Sequence, residues 1–334
     1  MRIEQDLRLL FEAGEALEHP HEILLAARAT VLCGLPFRPV ENRAWIKEAR
    51  LGEGEKLVVT FTAMGNHTLP YGADRALFAW IQTRAYQGDG VVTFDSLNEY
   101  LRTFGLSDCG SNYALLRSRL ERLKNVAVQI SHTTATTVRT LNTAPISMAV
   151  TPQDPEEPGD LFEEIPGQQS LLIRKPWGFR LNASFWDYLR ANPVPLPLPL
   201  MKVFHNQPKA WDLAAFATYR CFVASGPSVV PWQGLRQMLG SSDGNDHQLR
   251  RTLAQALEQV KTVLPDLPVD FLPGRQGLAV APWRPGATSV TSVEIHPPWG
   301  AEPPGAARVG TAGTVLRFPA PRSLSRRLAE RKIR

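Results

Sequence analysis

VVTFDSLNEYLRTFGLSDCGSNYALLRSRLERLKNVAVQI, residues Val91 to Ile130, opens on a short β-branched run and closes on an alternating one, with two helical patterns between them. Val91 to Phe94 reads as a strand. Asp95 and Ser96 offer side-chain oxygens to cap a helix through Leu97, Tyr100, Leu101 and Phe104, and Gly105 fits its stop. The turn Ser107 to Gly110 leads into a longer helical pattern that ends near Asn125. Val126, Val128 and Ile130 then alternate as the first strand of a hairpin whose return is Thr136 to Leu141. On the N-terminal side, Leu77, Trp80, Ile81 and Ala85 share one face of a helix over Ala73 to Tyr86, which stops at Gly88-Asp89-Gly90. The order is helix, strand, helix, helix, hairpin.

The same order returns about 130 residues later. A helix carries Trp211, Leu213, Ala214, Phe216, Ala217 and Cys221; Ser225 to Ser228 turns; Val229-Val230 is a brief strand; Trp232 to Leu239 is a short helix. Gly240 to Asp246 separates it from a longer helix reaching about Val263. Val269 to Leu272 and Gly277 to Val280 form two strands around Pro273-Gly274. A plan repeated without sequence identity is a fold signal, and this plan is the winged-helix one, in which the third helix enters the DNA major groove and the hairpin reaches the backbone. The predicted class is α+β: two tandem winged-helix domains with an N-terminal helical extension and a basic C-terminal tail.

The third helices have faces suited to that task. In the first copy Tyr113, Leu116, Leu120 and Leu123 form the apolar side, and Ser111, Ala114, Arg117, Ser118 and Arg122 lie opposite with Glu121 among them. Small residues let a backbone approach the groove floor, while arginines offer bidentate donors to guanine or phosphate. In the second copy Leu249, Leu253, Ala256 and Val260 face inward; His247, Arg251, Ala254 and Gln255 face out, with Arg250 and Lys261 at the rim. A charged outer face is also what any solvated helix shows. Two such faces in matching frames favour DNA. The residues predicted to serve the first half-site are Ser111, Arg117, Ser118, Arg119, Arg122 and Lys124, and those for the second are His247, Gln248, Arg250, Arg251, Gln255 and Lys261.

Leu69-Pro70-Tyr71-Gly72 followed by Arg75, then Leu97 to Tyr100, Leu101-Arg102-Thr103-Phe104-Gly105-Leu106, Gly110, and Leu116 to Leu123 with Arg122, resembles the RepA-type plasmid replication initiators. Trp211-Asp212-Leu213 with Tyr219-Arg220 resembles the start of their second winged helix. The resemblance covers roughly residues 36 to 280. It implies binding of double-stranded origin DNA at directly repeated sites, opening of an adjacent AT-rich segment, and recruitment of the host initiator and replicative helicase; monomer and homodimer both stay open. It also implies a bacterial cytoplasmic location.

The chain has 334 residues and a formal charge of +5, unevenly spread. From Arg308 onward eight basic residues stand against Glu330 alone, which leaves 29 basic against 31 acidic ahead of it. The body is therefore no general polyanion binder, and the tail is suited to non-specific phosphate contacts. Cys33, Cys109 and Cys221 are odd in number and widely spaced, so neither a disulfide framework nor a zinc site is indicated, and a reduced compartment fits. No signal peptide or spanning segment is visible. No phosphate-loop motif occurs. Among the histidines only His19 and His21 come close in sequence, flanking Pro20 in what reads as a helix break rather than a metal pair. Asp95 and Asp108 read as caps. Tyr71 suits a turn and Tyr113 the core, and the histidine cluster a nicking enzyme needs is missing. Neither an enzyme, a cofactor nor a metal is expected.

The flanks set the boundaries. Residues 1–35 read as a helical extension, Ile3 to Leu17 and Ile23 to Leu32 being broken at His19-Pro20-His21. The first winged-helix domain spans 36–150 and takes in a hairpin of Trp45 to Ala49 with Leu57 to Thr62. Residues 151–169 are an acidic linker, 170–285 the second domain, and 286–334 a Pro/Gly-rich and basic tail with little independent structure as far as Pro304. Within the second domain a strand, turn and strand surround Pro176-Trp177-Gly178, a turn or two of helix covers Ser184 to Leu189, and Pro193 to Pro199 is an extended spacer, its alternating prolines excluding helix and ladder alike. The alternatives are a winged-helix transcriptional regulator and a non-DNA interaction scaffold.

Overall fold

A computed structural model describes residues 23–52, 54–94, 96–150, 177–239, 246–273, 276–283, 292–295 and 314–317. The expected helix through Leu17, the break at Pro20, the acidic stretch 151–169, the loop 240–245 and most of the basic tail lie outside the described residues. The chain is α+β. Strand β1 (Ile23–Ala27) runs into α1 (Arg28–Leu32); β2 (Ala44–Gly52) and β3 (Glu55–Ala63) form a hairpin; α2 (Asp74–Gln87), β4 (Val91–Phe94), α3 (Asn98–Thr103), α4 (Gly110–Lys124), β5 (Val126–Thr133), β6 (Val138–Thr143) and β7 (Ile146–Val150) follow. The second half contains β8 (Trp177–Leu181), α5 (Ala183–Ala191), β9 (Pro193–Pro197), α6 (Leu198–Val203), α7 (Pro208–Val223), β10 (Ser228–Pro231), α8 (Trp232–Leu239), α9 (Asp246–Val263), β11 (Val269–Phe271) and β12 (Gly277–Val280). Strands β13 (Ser292–Ile295) and β14 (Thr314–Arg317) pair antiparallel.

Both copies show the expected element order. Their pairing differs. In the second, all pairs are antiparallel and the sheet order is β10-β12-β11, so the strand between the helices joins its own hairpin. Gly277 (φ +147°) makes that join possible, because a Cβ there would sit 2.0 Å from the Val230 carbonyl oxygen. In the first, β5 is flanked by β3 and β6 in the sheet β2-β3-β5-β6, which leaves no edge for β4. The β2–β3 hairpin adds its strands to this sheet, as its sequence predicts. Displaced from the hairpin, β4 pairs with β8, and β7 lies on the other side of β8. Residues 177–181 therefore pair with strands of the first half.

The Pro193 to Pro199 segment corrects the sequence reading twice. Pro193–Pro197 is a strand, antiparallel to β1, and α6 begins at Leu198. Successive N–H groups of a strand point to opposite sides, so prolines at alternate positions lose donors only on one side. Val194 opposite Ala26 and Leu196 opposite Leu24 keep theirs. The β1 segment was expected to be helical; it is extended because Val194 and Leu196 offer it a ladder and because its remaining amides are also met. The Leu25 N–H donates to Thr83 Oγ1 at 2.7 Å and the Ala27 N–H to Gln82 Oε1 at 2.7 Å, both on α2. That docking explains why α2 is buried almost all round, including Ala76, Phe78, Ala79, Gln82 and Thr83, rather than along one stripe. The pairing of β13 with β14 likewise corrects the expectation of little structure after Ala281, the register setting Val293 opposite Leu316 and Ile295 opposite Thr314.

One core runs through both halves. Trp80 meets Phe94 and Tyr100 edge-on, Tyr100 lies 4.7 Å from Phe104, and Phe104 reaches Trp211 of α7 at 6.4 Å between ring centroids. All three cysteines are free, with Cys33 and Cys221 buried and Cys109 exposed. Burial pushes the Cys33 and Cys221 thiols up to about 12. No helix among the described residues is long and apolar enough to cross a membrane.

Candidate nucleic-acid interface

Helix α4 has no acidic residue in its first turn and Arg122 and Lys124 in its last, a charge order that suits the helix dipole. Leu116, Leu120 and Leu123 are buried, and Ser111, Ala114, Leu115, Arg117, Ser118 and Glu121 are exposed. Two predicted contacts are turned inward instead. Arg122 Nε lies 2.7 Å from Asp74 Oδ2 and Nη2 2.9 Å from Oδ1, while Nη1 donates to Ser118 Oγ at 2.8 Å. Its guanidinium also stacks 4.6 Å from the centre of the Tyr71 ring. Arg119 is 8% exposed, with Nε 3.7 Å from Asp74 Oδ1. These arginines fasten α4 to the first turn of α2; a wheel projection put Arg122 outside because it cannot show that a buried carboxylate sits where the helix edge meets its neighbour. Lys124 pairs with Glu121 at 2.6 Å. Ser111, Arg117 and Ser118 keep the outward position read from sequence.

Helix α9 buries Leu249, Leu253, Ala256, Leu257 and Val260. His247, Gln248, Arg251, Ala254 and Gln255 are exposed on the other side. The rim cations are engaged locally: Arg250 stacks on Trp232 of α8 at 4.4 Å, and Lys261 pairs with Asp270 of β11 at 2.7 Å. Asp246 in the first turn, favourable to the dipole, pairs with Arg236 at 3.2 Å.

Between the two helices stands a charged cluster to which the sequence reading gave no role. Arg75, 6% exposed, places Nε 2.8 Å from Asp212 Oδ1 and donates from Nη1 to the Gly72 carbonyl and from Nη2 to the Leu35 carbonyl, each at 2.6 Å. Lys47 Nζ donates to the Gln237 carbonyl of α8 at 3.3 Å. Burial raises the Asp212 carboxyl to about 6, against the pull of Arg75 and then Lys47. Gly34 makes room for it, since a Cβ there would lie 2.5 Å from Asp212 Oδ2. The available signal was a charge inside an apolar helical pattern: Arg75 before Ala76-Leu77, and Asp212 between Trp211 and Leu213.

No family model and no curated protein matches the chain. Among solved structures it is similar to a crystal structure of RctB domains 2-3, at 13% identity and a TM-score of 0.45 over 69% of this chain and 82% of that one. It is also similar to selenomethionine derivatives of domain 2 and domain 3 of RctB, at 12% identity and a TM-score of 0.46 over 70% and 85%. At those values the functional reading rests on this chain's own geometry. Among the described residues no group of three or more His, Cys, Asp or Glu side chains is placed to hold a metal ion.

Proposed function

We propose that this chain is a replication initiator of the RepA type, which binds double-stranded origin DNA through two winged-helix units without chemical turnover. The observation that carries the reading is the repeated order of helix, strand, helix, helix and hairpin, in which each third helix, α4 and α9, keeps its apolar side inward and a polar, arginine-bearing side exposed. Arg117 with Ser111 and Ser118 serves one half-site, and Arg251 with His247, Gln248 and Gln255 the other. Helix N-terminal halves and small side chains such as Ala114 and Ala254 allow close approach to the groove. Origin opening and recruitment of host initiator and helicase follow from the family reading.

The test is binding of the full chain to DNA flanking its own gene against scrambled duplex, across a salt series, with and without residues after Gly305. A sequence-selective complex is expected to survive loss of the tail. Arg117→Ala with Arg251→Ala should abolish selectivity at a cost of about 1–3 kcal/mol per base contact, or lower the salt slope by about 1 per lost phosphate contact. Directly repeated protected blocks fit an initiator and an inverted repeat at a promoter fits a regulator. Binding that vanishes with the tail, or is indifferent to the double substitution, would sink the reading in favour of an interaction scaffold.

A further inference from the structure

We infer that the adjacent pair Asp74-Arg75 acts as a ruler between the two DNA-reading helices, so that the chain accepts its two half-sites at only one separation and phase. The inference rests on the function proposed above. The two neighbours point their charges in different directions from the first turn of α2. Asp74, 1% exposed, holds Arg119 and Arg122, which fixes α4. Arg75 holds Asp212, which fixes α7, and α9 packs on α7. The path from one reading helix to the other is therefore α4, Asp74, Arg75, Asp212, α7, α9, and Arg119, Asp74, Arg75 and Asp212 along it are buried.

Three further contacts make the joint stiff. Lys47 of β2 reaches the Gln237 carbonyl of α8, Phe104 meets Trp211, and β9 of the second half completes β1 beside α2. Two domains on a flexible tether would tolerate extra base pairs between their sites, because effective concentration falls only slowly with separation. Halves joined through buried ion pairs and one core cannot, since interiors are close-packed and do not deform continuously. Asp74, Arg75 and Asp212 are positioning residues in this scheme and touch no base.

The experiment uses the full chain and a duplex recovered by it from a random-sequence pool, with its protected blocks mapped. Derivatives carry about 5 or about 10 additional base pairs between the blocks, half a turn and one turn of B-DNA. Both insertions are expected to weaken binding by about 100-fold or more, as loss of one of two linked contacts would. In Arg75→Ala with Asp212→Ala, which removes both members of the pair and also the carboxylate beside buried Lys47, the penalty for the full-turn insertion should shrink by about threefold or more, the shared core and the β1–β9 ladder remaining in place. Folding of that variant is checked by circular dichroism and a cooperative urea transition. Full-turn insertion tolerated by the natural chain, a single protected block, or a folded double variant with unchanged spacing preference would each overturn the ruler. The insertion series on the natural chain decides even where the variant does not fold. A chain that recovers no duplex selectively refutes the proposed function itself, whereas selective but spacing-tolerant binding refutes the ruler alone.

Discussion

Asp74 shows how much of this protein depends on where a single carboxylate is placed. It is nearly inaccessible and faces two arginines of another helix, so its removal leaves Arg119 and Arg122 without a counter-charge inside the protein. Asp74→Asn is expected to destabilise the chain by about 3–5 kcal/mol, read from the urea midpoint. Asp212 gives stability a pH dependence of opposite sign to that of a carboxylate whose pKa is lowered on folding. Its folded value of about 6 lies above that of an unfolded Asp, so between about pH 4 and pH 6 the folded chain binds the proton more tightly. Its contribution is present below about pH 4 and declines as pH rises through 6, by about 3 kcal/mol for two pH units. The stability difference between the natural chain and Asp212→Asn should shift by that amount between pH 4 and pH 7, and an unchanged difference would refute the assignment.

At the level of elements, strand β9 gives a clean test of which amides carry a ladder. Val194→Pro removes a donor facing β1 and should cost about 1–3 kcal/mol, whereas Pro195→Ala, on the other side, should change stability by less than about 1 kcal/mol; chemical denaturation of both variants makes the comparison. Most elements were legible in the sequence. Val91–Phe94, Trp232–Leu239 and Gly277–Val280 have the bounds that their residues predict, because short β-branched runs and glycine stops are local signals. The failures were non-local. Ile23 to Ala27 has a helical composition but meets a strand about 170 residues away, and prolines suggested a spacer because their ladder partner was out of sight. For the candidate interface, outward positions such as Arg117 and Arg251 follow from helix periodicity. The inward turn of Arg122 depends on Asp74, 48 residues earlier, which no periodicity reveals.

On the scale of the whole molecule, two repeats of one plan have become a single body. Their cores merge through Phe104 and Trp211, strand β8 sits between β4 and β7, and buried ion pairs cross the junction. The described halves are therefore expected to unfold together: tryptophan fluorescence and far-ultraviolet circular dichroism should give coincident urea curves. Separate transitions would mean that the shared core contributes little. The acidic stretch 151–169 then matters less as a tether than as a connection between strands that pair directly.

The prolines of β9 have one more effect. Pro193, Pro195 and Pro197 leave carbonyl oxygens but no amide hydrogens along the side of that strand turned away from β1. A further strand needs donors as well as acceptors in register. This margin is thus deaf to recruitment by a stray extended chain, including one from a second copy during synthesis at high concentration, and the protein is protected there from the edge-to-edge growth that leads to aggregates.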